Sequence, residues 1–135
     1  MLEKRYYQGN LFKNNQESLR NVQGKGWLIG NFDKFIEEDP RKTDVLELKY
    51  WKFLKGNNFA HSTKTHCSVT ELTIVFAGEI KGFVGDDIIT LKGGDFILIH
   101  PKTVNNLVKE VVRSADGITI KVPSDSKDII KIKQC

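Results

Sequence analysis

Two stretches of this chain gather the side chains best suited to chemistry. The first, His66-Cys67-Ser68-Val69-Thr70-Glu71, sets an imidazole shortly before a carboxylate, and Gly78 follows. The second, Gly94-Asp95-Phe96-Ile97-Leu98-Ile99-His100-Pro101, carries another imidazole at the end of an apolar run. Imidazole and carboxylate are donors that hold divalent transition metals, and the same pair moves protons in general acid–base chemistry. His61 is the remaining histidine. Cys67 adjoins His66, but a reactive thiol needs a lowered pKa, and an ordinary strand residue is the simpler reading. Cys135 is the only other cysteine and no Cys-x-x-Cys pair occurs, so the expectation is no disulfide framework.

The elements that must position these residues read as short strands. Residues 45–53 alternate, with Leu46, Leu48, Tyr50 and Lys52 on one face and Glu47, Lys49, Trp51 and Phe53 on the other. Residues 71–77 are rich in Thr, Ile, Val and Phe. Residues 79–84 and 88–91 flank Gly85-Asp86-Asp87, a hairpin signal, and 96–99 follow the turn Lys92-Gly93-Gly94-Asp95. Residues 106–112 and 118–122 read as a pair around the turn 113–117. A strand is expected over 27–32, a short helix over 15–22 stopped by Gly24 and Gly26, and a weak edge strand over 128–133. Many short strands divided by turn residues predict an all-β sandwich or barrel. The division that follows is an N-terminal extension (1–26), a barrel (27–124) and a C-terminal tail or edge strand (125–135).

Bulk properties exclude several classes. At 135 residues the chain is sized for one domain. No segment reaches the about 18 apolar residues that span a bilayer, and the charged N-terminus leads into no apolar run, so no membrane partner and a cytoplasmic location are expected. The net charge is +4, from 21 Lys and Arg against 17 Asp and Glu. The lysines are scattered, without the interleaved aromatics of a nucleic-acid groove, so a nucleic-acid polymer is not an expected partner. A mild positive field instead favours a small anion.

In this order and spacing, the two stretches resemble the paired motifs of the cupin superfamily, over roughly residues 45 to 122. His66, Glu71 and Gly78 match the second histidine, the glutamate and the closing glycine of the first motif. Lys64 stands at the place of the first histidine, with His61 three residues out of register. In the second motif, counting from Gly94 places Lys102 at a glycine and Asn105 at the last histidine. The resemblance implies a cupin-type double-stranded β-helix (jelly-roll) barrel. It further implies that Lys64, His66, Glu71 and Asn105 occupy the four positions where metal-binding members hold their ion. Two of the four are poor metal ligands, so no resident cofactor is expected; a divalent transition metal would need His61, His66, Glu71 and His100 to form its set.

The same four positions suit direct polar recognition, with Tyr50 and Lys52 extending the lining and Tyr50 or Trp51 stacking on a planar ring. The leading expectation is a binding protein that captures a small anionic ligand (a nucleotide, signalling nucleotide or sugar nucleotide) without tight metal, for sequestration or sensing. Two alternatives stand beside it. One is a cupin enzyme using His66 and Glu71, either a metal-dependent dioxygenase or isomerase or a metal-free sugar-nucleotide isomerase. The other is an interaction module with a filled barrel. A homodimer is expected in each case, because residues 71–77 carry apolar side chains on both faces, and the strand at 27–32 is the candidate for exchange between copies.

Overall fold

The computed structural model describes residues 5–13, 27–56, 63–125 and 129–130. Eight strands follow in order: β1 (Trp27–Ile29), β2 (Glu47–Phe53), β3 (Thr65–His66), β4 (Thr70–Val84), β5 (Asp87–Lys92), β6 (Phe96–Ile99), β7 (Asn105–Val122) and β8 (Ile129–Ile130). The protein is all-β, as the sequence predicts. The helix expected over 15–22 lies outside the described residues. Among the described residues no helix is long and apolar enough to cross a membrane.

Every strand pair is antiparallel. The large sheet runs β1-β2-β7-β4-β5, with β6 also on β4, while β3 pairs with β8. Two long strands make the curvature. β4 pairs with β7 first through Thr70–Val75 against Gly117–Val122, then through Glu79–Val84 against Asn105–Arg113, with register shifts between. At the bend sits Gly78, with φ of +87°; a Cβ there would collide with the Ser114 carbonyl oxygen and lie 2.5 Å from Ala115 Cα. The motif glycine is therefore needed for both its conformation and its lack of a side chain.

Two sequence expectations change at this point. Residues 113–117 do not form a turn, because β7 runs unbroken from Asn105 to Val122. Their turn-type side chains are used laterally: Ser114 Oγ accepts from Lys55 N at 2.9 Å, and Asp116 Oδ2 accepts from the Tyr50 hydroxyl at 2.7 Å. Likewise 71–77 and 79–84 are one strand, bent at Gly78. The second correction concerns Cys67, which is disulfide-bonded. Cys135 itself lies outside the described residues.

The interior is graded along its length. Three cross-strand rows run from β2 through β7 to β4: Glu47–Lys121–Glu71, then Lys49–Thr119–Thr73, then Trp51–Gly117–Val75. Alternation puts the members of all three rows on one face of the sheet. The third row enters the apolar core of Trp51, Val75, Ile80, Leu91, Val108 and Ala115. The middle row is tied by hydroxyls, with Trp51 Nε1 donating to Thr119 Oγ1 at 3.1 Å and Thr119 and Thr73 sharing a hydrogen bond at 3.0 Å. The first row is wholly charged and buried.

Candidate functional site

A cavity of about 90 Å³ fills the space between the charged row and the apolar core. Its polar wall is Lys49, Lys64, Glu71, Asn105 and Lys121, its apolar wall includes Trp51, Ile80 and Val108, and Trp27 of β1 closes one side. Three of the four family positions thus line one cavity. Lys64 and Asn105 are paired through a backbone bridge, and Lys64 Nζ donates to Glu71 Oε1 at 3.1 Å. His66, the fourth, is buried behind Glu71 with its Nε2 3.9 Å from Oε1, and it does not line the cavity.

The other sequence candidates fall elsewhere. Tyr50 and Lys52 do not line the cavity, because the opposite face of β2 turns inward and Lys49 and Trp51 take their places. Tyr50 is buried on the outer side, edge-on to Phe12 at 5.5 Å and bonded to Asp116, and burial and then that bond push its hydroxyl pKa up. Lys52 is exposed. His100 is exposed after β6, and His61 lies outside the described residues. Lys102, at the place of a motif glycine, holds φ of +67°, so the backbone keeps the left-handed turn that glycine would make easily. Its N–H donates to the His66 carbonyl at 2.6 Å.

Sequence reasoning passed over Glu47 and Lys121, and left open whether Tyr50 and Lys52 or Lys49 and Trp51 face the cavity. The signal for Glu47 and Lys49 was present in the alternation of β2, and for Lys121 in the alternation of Thr119 and Lys121 with Ile118 and Ile120. Trp27 carried no such signal. Its ring faces Lys121 Nζ at 4.9 Å and Lys49 Nζ at 5.6 Å, and it stacks on Phe32 at 5.8 Å. Lys34 Nζ donates to the Trp27 carbonyl, fixing β1 over the cavity.

Electrostatics separates the ionisable groups. Burial pushes the Glu71 carboxyl up, but Lys64, Lys121, the Lys64 hydrogen bond and His66 outweigh it and hold Glu71 below the ordinary carboxylate range. Burial raises Glu47 despite Lys121 and the Ser124 hydroxyl, which donates at 3.1 Å. Burial and then Lys64 push Lys49 down, and the same two causes bring Lys121 to about 8. The Lys121 ammonium makes no hydrogen bond or ion pair with the described residues, and its close partner is the Trp27 ring. Asn105 Oδ1 and Thr65 Oγ1 are buried without a hydrogen-bond partner among the described residues.

This donor set does not fit a divalent cation. An ammonium, Lys64, occupies a ligand position and holds the carboxylate a metal would need, and two further lysines crowd the same space. Among the described residues no three His, Cys, Asp or Glu side chains converge as a metal set. The cavity lining thus carries three lysines against one carboxylate that is already paired.

No protein-family model matches the chain, and no curated protein matches it. Solved structures do. An uncharacterised Klebsiella pneumoniae protein with a double-stranded β-helix domain is similar at a TM-score of 0.57 and 16% identity, over 68% of this chain and 78% of that one. Streptomyces PAC13, solved with uridine, is similar at a TM-score of 0.56 and 11% identity, over 67% and 70%. An RmlC-like cupin from Methanocaldococcus jannaschii is similar at a TM-score of 0.51 and 13% identity, over 61% and 73%. With the bent β4–β7 pair and with Gly78, Gly94 and Lys102 all at positive φ, these likenesses show that the chain has the double-stranded β-helix fold of the cupins.

Proposed function

We propose that the barrel is a small-molecule receptor that binds an anionic ligand (a nucleotide, signalling nucleotide or sugar nucleotide) without tight metal, as a sequestering or sensing protein. The observation that carries this reading is the convergence of Lys49, Lys64 and Lys121 on a cavity whose one lining carboxylate, Glu71, is engaged by Lys64. Buried like charges repel, and a bound anion relieves that repulsion. At about 90 Å³ the cavity encloses a phosphate or carboxylate rather than a whole nucleotide. Trp27 also borders a groove of about 380 Å³ against residues 7–13, lined further by Lys13, Lys34 and Arg41. The rest of the ligand extends past Trp27 along that groove, with a planar ring against an aromatic face. A protein of the same fold has been solved with uridine, which has the base and sugar of such a ligand but not its charge.

The test is a titration with AMP and UMP against adenosine and uridine, followed by tryptophan fluorescence. The phosphorylated compounds should bind at least about tenfold more tightly, the worth of one charge-assisted hydrogen bond. Lys49→Ala should remove most of that difference. Equal affinity for nucleoside and nucleotide, or none for either, would overturn the reading. We further propose that the protein acts as a homodimer, the dimer resting on the apolar outer face of the β2-β7-β4-β6 sheet.

A further inference from the structure

Anion binding explains why lysines line the cavity, but not why one of them stands in a row with two buried carboxylates. In the first cross-strand row Lys121 lies directly between Glu47 on β2 and Glu71 on β4. All three are at least nine-tenths buried, with exposures of 6%, 3% and 2%. The two carboxylates are driven apart: Glu71 is kept ionised by Lys64, whereas burial favours the protonated form of Glu47. An amine between an acid and a base of this kind has the parts of a site for proton-coupled nucleophilic chemistry. Lys121 also reaches the cavity with no ion pair to its nitrogen among the described residues, and Lys49 and Lys64 supply separate cations for a substrate's charge.

We propose that Lys121 captures the carbonyl group of an anionic aldehyde or ketone as a reversible imine, with the substrate's anionic group held by Lys49 and Lys64. This rests on the anion-binding reading for its orientation and adds a reaction to it. The neutral amine of Lys121 forms a bond to the carbonyl carbon, and the carbonyl π electrons move to oxygen, which takes a proton passed along the carboxylate row, whose member on the cavity is Glu71. The nitrogen returns a proton to the carboxylate row. A second protonation lets the hydroxyl leave as water, and the nitrogen lone pair closes the C=N bond. The proton for that second step is the one Lys121 gave to the carboxylate row on becoming neutral, so the sum is an ammonium and a carbonyl giving an iminium and one water, and no oxidant or reductant is required. Crowding by Lys64 and burial keep a usable share of Lys121 neutral, and both Glu47 and Lys49 face it from β2. Two sources share this chemistry, 2-oxo acids and phosphorylated aldoses.

The experiment incubates the full chain with cyanoborohydride and, separately, pyruvate, glyoxylate, ribose 5-phosphate or acetone. Intact mass counts the trapped secondary amines, and peptide mapping locates them. The expected result is one adduct per chain at Lys121, formed roughly tenfold or more faster than at exposed Lys109, because a lowered pKa exposes more free amine. Pyruvate and glyoxylate against ribose 5-phosphate decide which source fits. The rate should rise through about pH 8, as Lys121 loses its proton. Mapping on the unaltered chain needs no variant to fold; Lys121→Arg, with its cation retained, should lose the adduct. Labelling that follows exposure alone, an adduct that persists in Lys121→Arg, or acetone trapped at Lys121 as fast as pyruvate would each overturn the proposal. An unmodified Lys121 alongside intact AMP binding would overturn it while leaving the receptor reading in place. Failure of both would remove both.

Discussion

An ammonium buried beside two others is a cost that the fold carries for its cavity. Lys121 has 6% exposure, and burial together with Lys64 brings it to about 8. Replacing it by Met removes the charge and keeps much of the side-chain volume, so Lys121→Met should raise stability by on the order of 1–3 kcal/mol, read as a higher unfolding midpoint. The same variant should lose anion affinity, the opposition expected when a strained site is kept for function. The pH dependence has a defined sign. Between about 8 and the ordinary lysine value the unfolded chain binds more protons at this position, so this group makes stability rise with pH across that window. Ligand affinity runs the other way. An anion favours the charged amine, so binding takes up a proton above about pH 8 and weakens as pH rises, by up to roughly tenfold per unit. Glu47, Lys49, Lys64 and Glu71 all face Lys121, and Lys49 adds to the fall because burial and Lys64 lower it too. Affinity that is level from pH 7 to 9.5 would remove Lys121 from the ligand's surroundings.

At the level of elements, the site depends on two strands long enough to belong to both halves of the barrel. β4 bends at Gly78, where a Cβ meets the backbone of Ser114 and Ala115, and β7 admits Trp51 at Gly117, where a Cβ would run into the Trp51 ring. Gly78→Ala should therefore cost about 3 kcal/mol or more, combining strain at positive φ with a backbone clash, measured as a loss of denaturation midpoint. A change below about 0.5 kcal/mol would mean that the bend relaxes without it. These strands also show what was legible beforehand. The alternation of β2 was clear, as was the hairpin at Gly85, because period-two patterning and turn glycines are local signals. Which face of β2 pointed inward was not, since Tyr50 suits a cavity wall as well as Trp51 does. The choice is made by β7, whose Gly117 leaves room for Trp51 and whose Asp116 takes the Tyr50 hydroxyl. Ser114, Asp116 and Gly117 looked like a turn for the same reason, since their true partners lie across the sheet. Lys64, Glu71 and Asn105, which the cupin-like spacing singled out, line one cavity, whereas Lys121 belongs to neither motif and reaches it through register alone.

On the scale of the molecule, the outer face of the large sheet remains to be covered. Ile118 and Ile120 of β7 pair in register with Ile74 and Leu72 of β4, which pair in turn with Phe96 and Leu98 of β6. Phe12 covers one end, against Tyr50 and Phe76, yet Phe96 stays 71% exposed and Leu98 51%. A continuous apolar sheet face of this kind marks an interface more often than free surface. A second copy fits it because each chain offers the same flat patch, the self-complementarity that a twofold dimer needs. Exchange of the strand at Trp27 is not required for this: β1 pairs with its own β2, and Trp27 already faces Lys49 and Lys121 of its own chain. The cavity lies on the opposite side of the sheet from this face, and the groove beside Trp27 lies at the β1–β2 edge, away from Phe96 and Leu98 of β6, so each protomer keeps a complete site. Light scattering at micromolar concentration should accordingly give twice the chain mass. The double variant Phe96→Lys, Leu98→Lys should give the single mass, with its circular dichroism and its nucleotide affinity unchanged. A monomeric unaltered protein would sink the dimer. A split dimer that also lost its ligand would mean that residues from both copies build the site, and the cavity would have to be redrawn across the interface.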